Sequence, residues 1–104
     1  MQEKKHDAVL IDPKDNVAVA TGDLKKGQKV LVKGEGFNAE VELLSDIAFG
    51  HKLAVINLEK DTEIIKYGEV IGKALDSIKR GEHAHDHNII GIRGKRKPEV
   101  GKES

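Results

Sequence analysis

The sequence predicts an all-β domain whose helical content is confined to a few single turns. Three observations carry that class. The apolar residues fall in short runs rich in Val, Ile and Ala, bounded by turn-forming residues. Eleven glycines are spread along the chain, supplying the punctuation that frequent reversals need. No window keeps apolar residues at i, i+3, i+4 and i+7 through three or four turns, so no long helix is expected.

Taken in order, the runs A-V-L-I (8–11) and V-A-V-A (17–20) read as the first two strands. V-L-V (30–32) opens a hairpin over 32–43, in which Gly34 and Gly36 supply the turn. On its return arm Val41 and Leu43 alternate with Glu40 and Glu42, the period of a strand with one buried face. A-V-I (54–56) and E-I-I (63–65) are further strands, and K-Y-G-E-V-I-G-K-A-L (66–75) is a second reversal centred on Gly68. One grammar recurs in D-L-K-K-G-Q-K-V (23–30), N-L-E-K-D-T-E-I (57–64) and S-I-K-R-G-E-H-A (77–84). An Asp, Asn or Ser opens a helical turn, an apolar residue (Leu24, Leu58, Ile78) pins it inward, and Gly27, Asp61 or Gly81 takes a left-handed conformation that releases a strand. The irregular spacing of the copies excludes a solenoid and predicts a pseudo-symmetric wrap.

With 104 residues the chain suits one domain, which buries about two-thirds of the surface its unfolded chain exposes. We place that domain at 1–91 and a basic, mobile tail at 92–104, where Arg93, Lys95, Arg96, Lys97 and Lys102 outnumber Glu99 and Glu103. The only aromatic residues are Phe37, Phe49 and Tyr67, too few for a base-stacking platform. Eighteen basic residues balance eighteen acidic ones, which removes the global electrostatic reason for a nucleic-acid or anionic-membrane partner. The apolar run at 8–11 is far short of a signal sequence or span. Cysteine is absent, so nothing argues for an oxidising compartment and the cytoplasm is the expected location.

The stretch G-E-H-A-H-D-H-N (81–88) places His83, His85 and His87 at alternate positions. In extended backbone their side chains share one face, with Glu82, Ala84 and Asp86 on the other. Cα atoms two apart in a strand are separated by about 6.5 Å, so two such rings can grip one metal ion or one anionic substrate; solvated surface histidines are the alternative. His51 follows Gly50 and precedes Lys52 and an apolar run, where it is either the rim of a site or an exposed strand start. Tyr67, the sole phenol, is either a proton donor or a turn-packing residue. No dinucleotide fingerprint, phosphate-binding loop, nucleophile elbow or His-Glu-x-x-His motif is present.

Four ordered motifs, D-N-V-A-V-A-x-x-D-L-K-K-G (15–27), I-A-F-G-H-K-L-A-V (47–55), I-I-K-Y-G-E-V-I-G-K-A (64–74) and G-E-H-A-H-D-H-N (81–88), resemble the altronate and galactarate dehydratase family. The likeness covers about residues 6 to 88 and points to its N-terminal SAF domain or a stand-alone small subunit. It implies a β-clip fold. It also implies a hydro-lyase that removes water from sugar acids such as altronate or galactarate, or sulfite from sulfolactate, with Fe²⁺ or Mn²⁺. The expected partners are a large dehydratase-family subunit and a small hydroxy acid, with self-association compatible, and neither nucleic acid nor membrane. By the same resemblance His51, Lys52, Tyr67, His83 and His85 are expected to be catalytic, Lys66 and Asn88 to bind substrate, and His83 and His85 to ligate the metal. Fused members continue beyond the position of Asn88, so this chain is expected to hold part of an active site and to be inactive alone. Asp86 is unusual for the family and is expected on the face opposite the imidazoles, at a subunit contact. A non-catalytic SAF binding or assembly module is the alternative reading, and metal storage by the histidine strand a third.

Overall fold

The computed structural model describes residues 7–91, so His6 and the tail at 92–104 lie outside the described residues. Among the described residues nine strands run β1 (Ala8–Leu10), β2 (Val17–Ala20), β3 (Lys29–Gly34), β4 (Phe37–Glu42), β5 (Lys52–Ala54), β6 (Glu63–Lys66), β7 (Glu69–Ala74), β8 (His83–Ala84) and β9 (Ile89–Gly91). The all-β expectation holds, and among the described residues no helix is long and apolar enough to cross a membrane. One sheet has the order β4-β3-β1-β2-β5-β8 and the other β6-β7-β9. All pairings are antiparallel except β1 with β3.

Both predicted hairpins form. In β3–β4, Val41 and Leu43 are buried while Glu40 and Glu42 face water, as the alternation requires. In β6–β7 the turn residues Tyr67 and Gly68 have φ of 57° and 75°, the positive pair of a two-residue type I′ turn. The A-V-I expectation at 54–56 needs correction: β5 starts at Lys52 and stops at Ala54, and Val55 and Ile56 lie in a bend. The bend leads into the next repeat, where Leu58 is drawn into an isolated bridge with Ile78.

The recurring turns are tighter than helical turns. Each closes one i to i+3 bond, from Gln28, Thr62 and Glu82 N–H to the carbonyls of Lys25, Glu59 and Lys79. The third residue has positive φ in each (Gly27 88°, Asp61 72°, Gly81 92°), which makes them type II turns. The structure adds a fourth copy, Asp46–Gly50, where His51 N–H bonds the Ala48 carbonyl and Gly50 has φ of 82°. The four turns form two reciprocal pairs. Leu24 and Ile47 exchange backbone bonds of 2.8 and 2.9 Å, and Leu58 and Ile78 exchange bonds of 2.7 and 2.8 Å. Asp23 Oδ1 accepts from Phe49 N–H, Asp46 Oδ1 from Lys26 N–H, and Asn57 Oδ1 from Arg80 N–H. The expected pseudo-symmetry is therefore local, each pair of turns being joined by a reciprocal bridge.

Two apolar clusters fill the interior. Leu43, Ile47, Leu53 and the valines of β3 and β4 form the first, and Val17, Leu58, Ile64 and Ile78 the second. Polar residues before β2 fasten the second sheet to the first. Asn16 takes the N–H of Ile65 on Oδ1 and donates from Nδ2 to the Glu63 carbonyl, both at 2.9 Å. The buried Asp15 carboxylate accepts from the N–H groups of Asp12, Tyr67 and Gly68 at 3.0, 3.0 and 2.8 Å. Together they set where the Lys66–Tyr67 turn stands. Asp15→Ala strands three donors and is expected to cost about 1–3 kcal/mol. A lowered urea midpoint with faster amide exchange at Gly68 is the check; an unchanged midpoint refutes the bracing role.

Candidate functional site

The ladder between β5 and β8 builds the site. Lys52 pairs with Ala84 and Leu53 with His83, which brings the residue just before β5, His51, beside the histidine segment. Leu53, Ala54 and Ala84 are fully buried, so the anchors of both strands are rigid while the polar ends stand half-exposed at the sheet edge.

The expected extended strand over 83–87 is not what forms. Regular pairing ends at Ala84, and residues 86–88 form a turn whose Asn88 and Ile89 N–H groups both bond the His85 carbonyl, at 3.1 and 3.0 Å. The imidazoles nevertheless gather. His51 Nδ1 lies 2.9 Å from His83 Nε2, so one ring donates to the other. The ring of His51 stacks on that of His85 with centroids 3.9 Å apart and planes 10° from parallel. His83 lies 5.4 Å from His85 and 4.9 Å from His87, centroid to centroid.

Lysines flank this stack. Lys52 Nζ makes a long 3.4 Å contact with His85 Nδ1, its donor and acceptor roles set by the tautomer of the ring. Burial lowers the Lys52 pKa, and the nearby Lys66 ammonium lowers it further against an opposing pull from Asp86. Lys66 in turn sits 4.7 Å from the centre of the Tyr67 ring. Asp86 also offsets part of the larger lowering at His85. It lies in the turn at 86–88 and not in an extended strand, so the strand alternation that placed it opposite the imidazoles does not form there.

Of the residues singled out from the sequence, His51, Lys52, His83 and His85 converge by contact, and Lys66 acts on Lys52 through its charge. Tyr67 joins them through Lys66, with its side chain 57% exposed. Asn88 is engaged with backbone: its Oδ1 accepts from His85 N–H at 2.9 Å and its Nδ2 donates to the His83 carbonyl at 2.8 Å. Sequence reasoning missed the bracket formed by Asp15 and Asn16, and it singled out His51 as catalytic without grouping it with His83 and His85 as a set that could share one metal ion. The sequence signal for that grouping was the turn grammar around Gly50. One ring nitrogen from each of His51, His83 and His85 lies within 4.8 Å of the others.

Burial depresses the pKa of both His83 and His85. The surrounding charges, His87 and His51 foremost for His83 and Lys52 and His51 for His85, add to the effect. The folded chain therefore resists protonation of these rings more than the unfolded chain does. Their contribution to stability is complete above an unfolded pKa of about 6.5 and is lost as pH falls below it. Without added metal, the urea midpoint is expected to fall on acidification below that pH, and to fall less in a His83→Gln, His85→Gln double variant. Equal acid sensitivity in the two proteins contradicts the assignment.

Residues 6–91 match the family described as the altronate/galactarate dehydratase SAF domain. The chain is 45% identical over 80 residues to the altronate dehydratase of Escherichia coli (strain K12), covering 77% of this chain and 15% of that protein. It is 35% identical over 82 residues to the L-threo-forming galactarate dehydratase of the same organism, covering 79% of this chain and 15% of that protein. With the (2R)-sulfolactate sulfo-lyase subunit alpha of Chromohalobacter salexigens it shares 36% identity over 86 residues, covering 80% of this chain and 92% of that subunit. The chain thus spans a small fraction of the dehydratases and nearly all of the sulfo-lyase subunit. A strand-and-turn architecture with its polar residues gathered at one edge, matched along its described length, shows that this chain belongs to the SAF-domain family of altronate and galactarate dehydratases.

Proposed function

We propose that this chain is the small subunit or module of a lyase that eliminates water or sulfite from a hydroxy acid. It would act with a large dehydratase-family subunit to which it presents the histidine edge. The observation that carries the reading is the convergence of His51, His83 and His85 with Lys52, on which the charge of Lys66 acts from the other sheet. The proportions shared with the sulfolactate sulfo-lyase alpha subunit support a separate subunit.

Elimination beside a carboxylate needs a base for the α proton, positive charge to hold the carboxylate as electrons shift onto it, and an acid for the leaving group. His51 and His83 stand at a spacing that suits two ligands of one divalent metal: bonds of about 2.1 Å at right angles place neighbouring donors about 3 Å apart, close to the 2.9 Å between these two rings, and His85, stacked face-on to His51, would turn its ring edge inward to become a third. Imidazole donors favour Fe²⁺ over Mn²⁺. Bound there, the metal would supply Lewis acidity toward the carboxylate and hydroxyl of the substrate. Lys66 would then neutralise the carboxylate. Lys52, its pKa lowered by burial, would take the α proton, and the Tyr67 phenol would protonate a departing hydroxyl.

Co-expression with a large dehydratase-family subunit tests this. The expected result is a stable complex that turns over altronate, galactarate or sulfolactate with Fe²⁺, while neither chain alone does so. A chain that neither pairs nor alters turnover points to the non-catalytic binding module instead.

A further inference from the structure

Asn88 closes the histidine sequence, and its side chain spans both ends of the tripeptide His83-Ala84-His85. The carboxamide oxygen accepts from the N–H of residue 85 and the carboxamide nitrogen donates to the carbonyl of residue 83. Only an amide of this length offers one acceptor and one donor to groups so placed. Its own backbone completes the hold: the Asn88 N–H bonds the His85 carbonyl at 3.1 Å, and the Asn88 carbonyl accepts from Leu75 N–H at 2.8 Å, just beyond β7. Residue 88 therefore ties the histidine turn to itself and to the second sheet.

The tie has a consequence for the rings. Ala84 is buried and fixed between Lys52 and the second apolar cluster, but the chain leaves the ladder immediately after it. Whether His85 then points at His51 depends on the backbone angles at 84 and 85, and Asn88 bonds the groups on either side of those angles. We infer that Asn88 is a positioning residue whose carboxamide sets the bend at Ala84 so that the His85 imidazole meets His51 beside the ladder-held His83, in place of the substrate contact its position suggests. The inference deepens the proposed function, since the clip matters to turnover only if these imidazoles serve the reaction, but the clip itself is readable without a partner or a metal.

The experiment is ring-proton NMR on the full chain with labelled histidine, comparing the parent with Asn88→Ala and Asn88→Asp. The parent is expected to show contacts between the rings of His51 and His85 and between those of His51 and His83. Asn88→Ala loses the His51–His85 set and keeps the His51–His83 set, which the β5–β8 ladder holds, while amide shifts in β1 to β4 stay unchanged. Asn88→Asp keeps the acceptor for His85 N–H and lacks the donor for the His83 carbonyl, so the His51–His85 contacts weaken while the His51–His83 contacts persist; this variant decides the matter if Asn88→Ala does not fold. Full retention of all ring contacts in Asn88→Asp overturns the inference. In the complex Asn88→Asp is expected to lower kcat with KM within about twofold of the parent; a raised KM at unchanged kcat makes Asn88 a substrate contact and also overturns it. A complex with no turnover in the parent defeats the proposed function alone, leaving the ring contacts to judge the clip.

Discussion

Gly81→Val is expected to cost about 3–5 kcal/mol, in the range reserved for steric and backbone failures. Two effects add. Gly81 has φ of 92°, a conformation that costs an L residue about 1–2 kcal/mol and a β-branched one more. A Cβ built there also runs into the carbonyl oxygen of Glu42, a backbone atom with no freedom to withdraw. The position is at once the third residue of a turn, the donor to the Ala54 carbonyl and the acceptor from Leu44 N–H, so strain there reaches β5, which carries the site, and the chain that follows β4. Against a typical stability of about 5–15 kcal/mol, a loss of that size leaves little margin. Gly50→Val is the control: φ is similar at 82° but the space beside it is open, so the cost is expected to be about 2 kcal/mol. Urea midpoints of the two variants measure the contrast. Equal losses at 50 and 81 would show that φ alone governs and the Glu42 contact is irrelevant.

His51→Ala is expected to lower turnover in the complex by about 10²- to 10⁴-fold, the range for removing a group that acts on protons or charge in the transition state. Residue 51 is the choice because it touches both other rings, by hydrogen bond to His83 and by stacking on His85. Its ring is half-exposed, so the effect on folding is expected to stay within about 1 kcal/mol. The combination separates chemistry from structure: a stable variant, still bound to its partner and nearly inactive, is the predicted phenotype. Turnover within about threefold of the parent removes His51 from the site and, with it, the idea of three converging imidazoles. His87→Ala is the companion, expected to act more weakly since its ring stacks on His83 alone among the cluster.

Which parts of this molecule were legible in its residues follows from the range of the interactions. The hairpins were readable because Val41 and Leu43 alternate with Glu40 and Glu42, and because Tyr67 and Gly68 sit where a two-residue turn must stand. The left-handed positions at Gly27, Asp61 and Gly81 were readable for the same local reason. The fourth turn escaped notice because Ala48 and Phe49 replace the charged pairs of the other copies, although Gly50 kept the grammar. The histidine segment misled in shape: alternation at 83, 85 and 87 looks the same in a strand as in a strand that breaks at 85, and only the side chain of Asn88 distinguishes them. His83 and His85 nonetheless meet His51, which the resemblance had named with them as catalytic.

By itself the sequence determined the all-β class, the places where the chain reverses and the set of side chains able to do chemistry. Each of these rests on backbone sterics or on a period of two within a few neighbouring residues. Only the tertiary structure decided which of those side chains meet. His51 and His83 are 32 residues apart, and no local preference carries information across that distance. The antiparallel pairing of β5 with β8, anchored by the buried Leu53, Ala54 and Ala84, turns two remote segments into one edge. The polar bracket of Asp15 and Asn16 then sets the Lys66 ammonium near enough to be felt there.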